Sequence, residues 1–318
     1  MSVWFELLIG LSVLCFGADR LVEGASQLAR KWGVSAVVIG LTIVSYGTSA
    51  PEMAVSALAS LQGKPDLAVS NVVGSNIFNV LFILGICALM QPLTVHSRLV
   101  RVDLILMLGV SLLAWALTAD GTLSFAEAAL LFGGMIGYTA FTLKKSKAEP
   151  AEVQREFKEA LPAKKPGSVP VLILRIAVAL GLLVLGTQWF VGGAAGLARA
   201  LGVGDTIIGL TIVAAGTSMP EVFTSIVATM KGERDIAIGN VVGSNIFNIL
   251  GILGVSGMLA GRNGLAVDPS LLGFDLPIMC AVAAACLPIF WRGGRISRGE
   301  GAVFFVYYLV YVIYLALN

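Results

Sequence analysis

The chain matches itself, and that match limits its folds more than any other feature. Residues 39–85 (IGLTIVSYGTSAPEMAVSALASLQGKPDLAVSNVVGSNIFNVLFILG) align without a gap to residues 208–254 at a constant offset of 169, and 28 of the 47 positions from Gly40 to Ile86 are identical. The match reaches upstream, where Gly17, Gly24, Leu28, Ala29, Arg30, Gly33 and Val34 meet Gly186, Gly193, Leu197, Ala198, Arg199, Gly202 and Val203. The fold must therefore contain one unit twice. That unit is apolar: 57% of the 318 residues are hydrophobic, only 13% are charged and the mean hydropathy is +0.91, whereas soluble domains are about a quarter charged. Residues 69–90 carry no charge at all, enough to cross roughly 30 Å of hydrocarbon. An integral membrane protein is predicted.

Apolar windows give about ten spans: 3–19, 34–61, 68–90, 101–118, 124–143, 169–191, 203–230, 237–260, 272–291 and 301–317. The first has no basic leader and no small-residue cleavage site, so it reads as a retained helix. The one long polar segment, 144–168, holds KKSK and three prolines and reads as a solvated linker. The predicted fold is an all-α membrane protein of about ten transmembrane helices: a first five-helix repeat at 1–143, the linker at 144–168, and a second five-helix repeat at 169–318. Five is odd, so the second copy must cross with the opposite polarity. Short cytoplasmic loops collect Lys and Arg. With both termini outside, 18 of the 21 basic residues fall inside and only Lys64, Arg199 and Arg262 outside. This places the linker in the cytoplasm and the chain in an inner or plasma membrane.

Several function classes drop out. The net charge is +2 with no basic stripe interleaved with aromatics, so nucleic acid is not a partner. Cys15, Cys87, Cys280 and Cys286 lack CxxC spacing and His96 is the only histidine, which argues against a disulfide scaffold or a zinc site. What remains is oxygen chemistry. GTSxPE occurs twice, as Gly47, Thr48, Ser49, Pro51, Glu52 and as Gly216, Thr217, Ser218, Pro220, Glu221, with each glutamate in mid-span. A carboxylate at that depth costs several kcal/mol unless paired, and no Lys or Arg lies in the same spans, so a transported cation is the expected counter-charge. Each proline frees carbonyls four residues back. Helical spacing adds stripes of Thr48, Glu52, Ser56 and Thr217, Glu221, Ser225, and in the following spans Asn71, Ser75, Asn79 and Asn240, Ser244, Asn248. An all-oxygen set of this kind suits Ca²⁺, with Mg²⁺ and Na⁺ left open. Asn71, Asn76, Asn240 and Asn245 read as helix-packing contacts, and Glu6, Asp19, Glu23, Asp103, Glu127 and Asp275, near span ends or on unrepeated faces, as residues solvated at the interface.

GTSxPE followed by GSNIFN, present twice in inverted halves, closely resembles the α-repeats of the calcium:cation antiporter superfamily, which includes the sodium/calcium exchangers. The resemblance implies that Glu52 and Glu221 ligate Ca²⁺, that the Thr48 and Thr217 carbonyls complete its shell, that Ser49, Ser218, Ser75 and Ser244 line flanking sodium sites, and that Asn79 stands at the centre. One position departs from the pattern. Many sodium/calcium exchangers have Asp at the end of the second motif, where this chain has Asn248, as proton/calcium exchangers do. Two ionised glutamates are neutralised by one Ca²⁺, two Na⁺ or two protons. Three Na⁺ would leave a positive charge uncompensated.

The reading is a secondary antiporter that exchanges Ca²⁺ for Na⁺ by alternating access, with Ca²⁺/H⁺ exchange on the same glutamates as the alternative and a Ca²⁺ channel as a rival. The transported ions are the only small partners expected besides the lipid bilayer, no cofactor is expected, and the chain is expected to act as a monomer. An intramembrane enzyme with Ser49 or Ser218 as nucleophile lacks a base. Glycines of the first and sixth spans, including Gly17, Gly24, Gly186, Gly192 and Gly193, are expected to form sliding surfaces.

Overall fold

The computed structural model describes residues 3–94, 98–146, 167–204, 208, 212 and 214–317. Helix α1 (Val3–Trp32) is followed by α2 (Ala36–Thr48) and α3 (Ala50–Leu61), then α4 (Pro65–Met90), β1 (Leu93–Thr94), α5 (Arg98–Leu117), β2 (Thr122–Leu123) and α6 (Phe125–Ser146). The order then recurs as α7 (Val169–Ala200), α8 (Ala214–Gly216), α9 (Met219–Met230), α10 (Arg234–Leu259), β3 (Leu265–Ala266), α11 (Leu276–Gly293), β4 (Arg295–Ile296) and α12 (Arg298–Leu317). Among the described residues six helices are long and apolar enough to cross a membrane, and Ala36–Thr48 and Val102–Leu117 are shorter apolar helices. The molecule is an all-α, multi-pass membrane protein.

The helices differ from the expected spans where charge misleads. Asp19, Arg20 and Glu23 cut the first apolar window at residue 19, yet α1 continues through them to Trp32, because backbone hydrogen bonding is satisfied whatever the side chains meet. Helix α7 likewise continues past 191 to Ala200, through the glycines and alanines of 192–198. Of the expected linker, Lys144–Ser146 extend α6 and Gly167 and Ser168 lead into α7; residues 147–166 lie outside the described residues.

Two apolar clusters organise the packing. The larger joins α4, α5 and α6 to α10, α11 and α12. Every residue in the hydropathic window of α10 is buried, against 11% in that of α12, so α10 is central and α12 turns an apolar face outward. The smaller cluster is built by α1 and α7 with parts of α2, α9 and α10. Here α1 and α7 run antiparallel: Gly193 packs on Leu7, Gly186 on Leu14 and Gly17 on Leu183. The approach is close, since a Cβ at Gly186 would stand 2.9 Å from the Leu14 amide nitrogen.

Two short strand pairs tie the recurring halves together. β1 pairs antiparallel with β4, Leu93 opposite Ile296, and β2 with β3, Leu123 opposite Leu265. The turn between α9 and α10 lies with the first pair, because Arg234 Nη1 donates to Thr94 Oγ1 at 3.0 Å. Helix α4 ends just before β1, so its start, at the turn after α3, is on the opposite side, with β2 and β3.

Candidate cation site

Both copies break at the same place. α2 ends at Thr48 and α3 starts at Ala50, with Ser49 between them at φ −80°, ψ 11°; the second copy breaks at Ser218 with φ −85°, ψ 8°. Pro51 and Pro220 stand in the first turns that follow, and having no N–H they withhold the helical donor four residues on from the carbonyls of Gly47 and Gly216. The break also puts Glu52 and Glu221 in the first turn of α3 and α9, where unpaired amides favour negative charge. Each carboxylate is 1% exposed.

The two copies serve each other's glutamates. Ser49 Oγ donates to Glu221 Oε1 at 2.7 Å, and Ser218 Oγ donates to Glu52 Oε1 at 2.8 Å. Thr48 and Thr217 stand beside the same carboxylates in the same crossed sense, Thr48 at Glu221 and Thr217 at Glu52. Thr48 Oγ1 donates further to Asn240 Oδ1 at 3.0 Å.

Amides brace the surroundings. Asn71 Nδ2 donates to Ser56 Oγ at 2.9 Å and to the Glu52 carbonyl at 3.2 Å; Asn240 Nδ2 makes the corresponding bonds to Ser225 Oγ at 3.0 Å and the Glu221 carbonyl at 3.5 Å. Between α4 and α10, Asn76 and Asn245 each donate to the other's carbonyl at 3.2 Å. Asn79 Nδ2 then donates to Asn245 Oδ1 at 2.9 Å, and Asn248 Nδ2 to Asn76 Oδ1 and Ser75 Oγ at 3.0 Å each. Here α4 and α10 are wound as π-helices, over Asn79–Leu84 and Asn248–Leu253, a winding frequent at functional sites. α3 packs on the second of these segments and α9 on the first.

This bonding leaves a residue of acceptors. Glu52 Oε2, Glu221 Oε2, Asn79 Oδ1 and Asn248 Oδ1 are buried without any hydrogen-bond donor, as is the Ser244 hydroxyl. The asparagine N–H groups are committed to the amide network, so the oxygens of Asn79 and Asn248 remain for something else. Buried acceptors without donors cost about 1–3 kcal/mol each, and carboxylates more. A hard cation would meet that deficit, and two carboxylates with neutral amide and hydroxyl oxygens make a donor set that fits one. The expected site residues thus gather from both copies, with Ser75 bonded to Asn248 and Ser244 left with its free hydroxyl.

Two residues expected to be solvated at the interface are buried: Asp103 is 2% and Asp275 8% exposed. Tyr311 donates to Asp275 at 2.7 Å, and Asp103 lies against Tyr138. Asp103 sits on a face of α5 and Asp275 immediately before α11, both covered by tertiary packing that apolar windows do not reveal. Asp19 is likewise ion-paired, to Arg20 and Lys231.

The site is not equally covered on its two flanks. Gly239, Asn240 and Gly243 of α10 are buried under α2; a Cβ at Gly243 would lie 2.6 Å from the Leu41 carbonyl oxygen. The equivalent Ser70, Asn71 and Gly74 of α4 are only half-buried, and a Cβ at Gly74 would meet no described atom within 4 Å. The buried stretch of α10 is on the side of β1 and β4 and the half-buried stretch of α4 on the side of β2 and β3; the segment equivalent to residues 36–44, residues 205–213, lies almost wholly outside the described residues.

The sodium/calcium exchanger protein family matches residues 2–144 and 171–317. Inner membrane protein YrbG of Escherichia coli (strain K12) is 38% identical over 93% of this chain and 91% of its own length, and the sodium/calcium exchanger MaX1 of Methanosarcina acetivorans is 34% identical over 97% of both. Structures of the sodium-calcium exchanger NCX_Mj soaked with different ions superpose with a TM-score of 0.84 at 29% identity, covering 98% of this chain and 97% of that one. The family is one of transporters, not enzymes, and this chain belongs to the sodium/calcium exchanger protein family.

Proposed function

We propose that the protein exchanges Ca²⁺ for Na⁺ across the membrane, through one site shared by Glu52 and Glu221 and opened to each side in turn. The observation that carries this is the crossed pair of serine–glutamate hydrogen bonds, which leaves one oxygen of each carboxylate without a donor beside the helix breaks. Ca²⁺ would take those oxygens together with carbonyls at Thr48 and Thr217 and the amide oxygens of Asn79 and Asn248. Ser49, Ser218, Ser75 and Ser244 would provide the flanking oxygens for Na⁺. The Lys and Arg distribution favours β1 and β4 in the cytoplasm and both termini outside, which would turn the half-buried stretch of α4 outward. The names of MaX1 and NCX_Mj support sodium as the driving ion. Asn248 favours a second reading, proton exchange, because two protons on the glutamates also balance one Ca²⁺.

The cage governs coupling. One Ca²⁺ or two monovalent cations neutralise it, whereas an empty cage carries two buried negative charges and resists rearrangement. The test is ⁴⁵Ca²⁺ uptake into vesicles holding the purified protein, under an outward Na⁺ gradient and separately an outward H⁺ gradient. Sodium-driven uptake that Glu52→Gln and Glu221→Gln each abolish is the expected result. Uptake driven by protons alone replaces sodium in the scheme, and downhill flux without any counter-gradient would make the site a channel.

A further inference from the structure

We propose that the charged contacts between α1 and the turn from α9 to α10 are a latch that holds the molecule open to the outside, and that the equivalent positions on the other face cannot form its ion pair. This rests on the alternating-access reading.

The latch has two parts. Lys231, at the end of α9, forms an ion pair with Asp19 of α1, and its Nζ also donates to the Asp19 carbonyl at 3.2 Å. Two residues on, Glu233 faces Ser26 and Arg30 of α1. Around them Arg20 bonds Asp19 and pairs with Glu23 at 2.9 Å, and Gln27 donates to Glu23 at 3.2 Å. The Asp19 and Lys231 side chains are about one-third exposed, 30% and 34%, so the pair is partly withdrawn from water. It joins the cluster of α1 and α7 to the buried stretch of α10.

Internal symmetry states what the other arrangement would contain. In an inverted repeat, access reverses when the two copies exchange conformations: α7 would approach the turn from α3 to α4 as α1 now approaches the turn from α9 to α10. At the offset of 169, Asp19 corresponds to Gln188 and Lys231 to Gln62, while Arg30 corresponds to Arg199 and Glu233 to Lys64. The ion pair becomes two neutral amides. The Arg30–Glu233 attraction becomes a repulsion between Arg199 and Lys64. At these equivalent positions the two arrangements differ in charge, and the difference favours the outward-facing one.

Ser70 reports the balance, because it is half-exposed now and corresponds to Gly239, which is buried under Val37. The full chain, with its four cysteines replaced by alanine and Ser70→Cys introduced, is labelled in vesicles with a membrane-impermeant maleimide, and rates are scaled to those of the denatured protein. Asp19→Asn and Lys231→Gln should each lower the ratio of accessible to protected protein about fivefold, which is about 1 kcal/mol at 1.4 kcal/mol per tenfold. The exchanged pair Asp19→Lys/Lys231→Asp should restore it. Gln188→Asp with Gln62→Lys builds the pair on the outer face without touching the inner one and should also lower the ratio. Unchanged labelling in the neutralised variants, or no recovery in the exchanged pair, overturns the latch. If labelling shifts as stated but the unaltered protein carries no Ca²⁺, the transport reading fails and the latch stands; if Ca²⁺ flux is present and labelling does not move, only the latch falls.

Discussion

At the scale of single residues, Asn248 decides the charge of the site. Its N–H groups are held by Asn76 and Ser75, so it presents an oxygen with no charge. On the proposed reading the cage holds two negative charges, those of Glu52 and Glu221, and exchange of one Ca²⁺ for two monovalent cations would move no net charge. Uptake by the unaltered protein should accordingly be indifferent to a potential imposed with potassium and valinomycin. Asn248→Asp adds a third carboxylate and room for a third monovalent cation, so one charge should move in each cycle. A charge crossing the whole field gains about 2.3 kcal/mol per 100 mV, so uptake by the variant should change severalfold and at most about 50-fold over that range. Strong voltage dependence in the unaltered protein would show that the two glutamates do not set the stoichiometry. Asn248 was legible in the sequence because it ends a repeated motif. The commitment of its amide was not, since that depends on Asn76 reaching it from the other copy.

At the scale of elements, the breaks between α2 and α3 and between α8 and α9 were legible because proline and glycine announce them and because they occur twice. The π-wound stretches were not, since they follow from backbone packing and carry no residue signature of their own. Nor was the unequal covering of the site, because Gly74 and Gly243 lie in the same GSNIFN context and sequence cannot tell them apart. The structure separates them, and a prediction follows from the difference. Gly243→Ala would push a methyl to within 2.6 Å of the Leu41 carbonyl and 2.7 Å of its Cα, so α2 must leave α10; overpacking of this kind costs about 1–3 kcal/mol. Gly74→Ala meets no described atom here, yet it would meet the equivalent backbone once access is reversed. The two variants should bias the molecule in opposite directions. Gly243→Ala should reduce labelling at Ser70→Cys, whereas Gly74→Ala should keep it high and slow ⁴⁵Ca²⁺ uptake about tenfold. Equal effects of the two on labelling would mean that the glycines serve packing alone.

At the scale of the whole molecule, the two apolar clusters divide the protein into parts with different bonds between them. The larger cluster is spanned at one end by β1 with β4 and at the other by β2 with β3, so its two halves are hydrogen-bonded at both ends. The cluster of α1 and α7 has no strand across it among the described residues; its contacts are glycine-lined helix faces and the charges at Asp19 and Lys231. Sliding of closely packed helices past a tied core is the low-cost motion of such an assembly. A cross-link within the core should then be tolerated, and one between the parts should not. Cysteines at Thr94 and Arg295, directly opposed across β1 and β4, should leave Ca²⁺ uptake within about twofold of its level when oxidised. Cysteines replacing Asp19 and Lys231 should stop uptake when joined by a short bis-maleimide and recover it when a reducible linker is cleaved. Loss of uptake from the first link would mean that the core itself opens during turnover, whereas full activity with the second would place the moving boundary elsewhere than between α1 and α9.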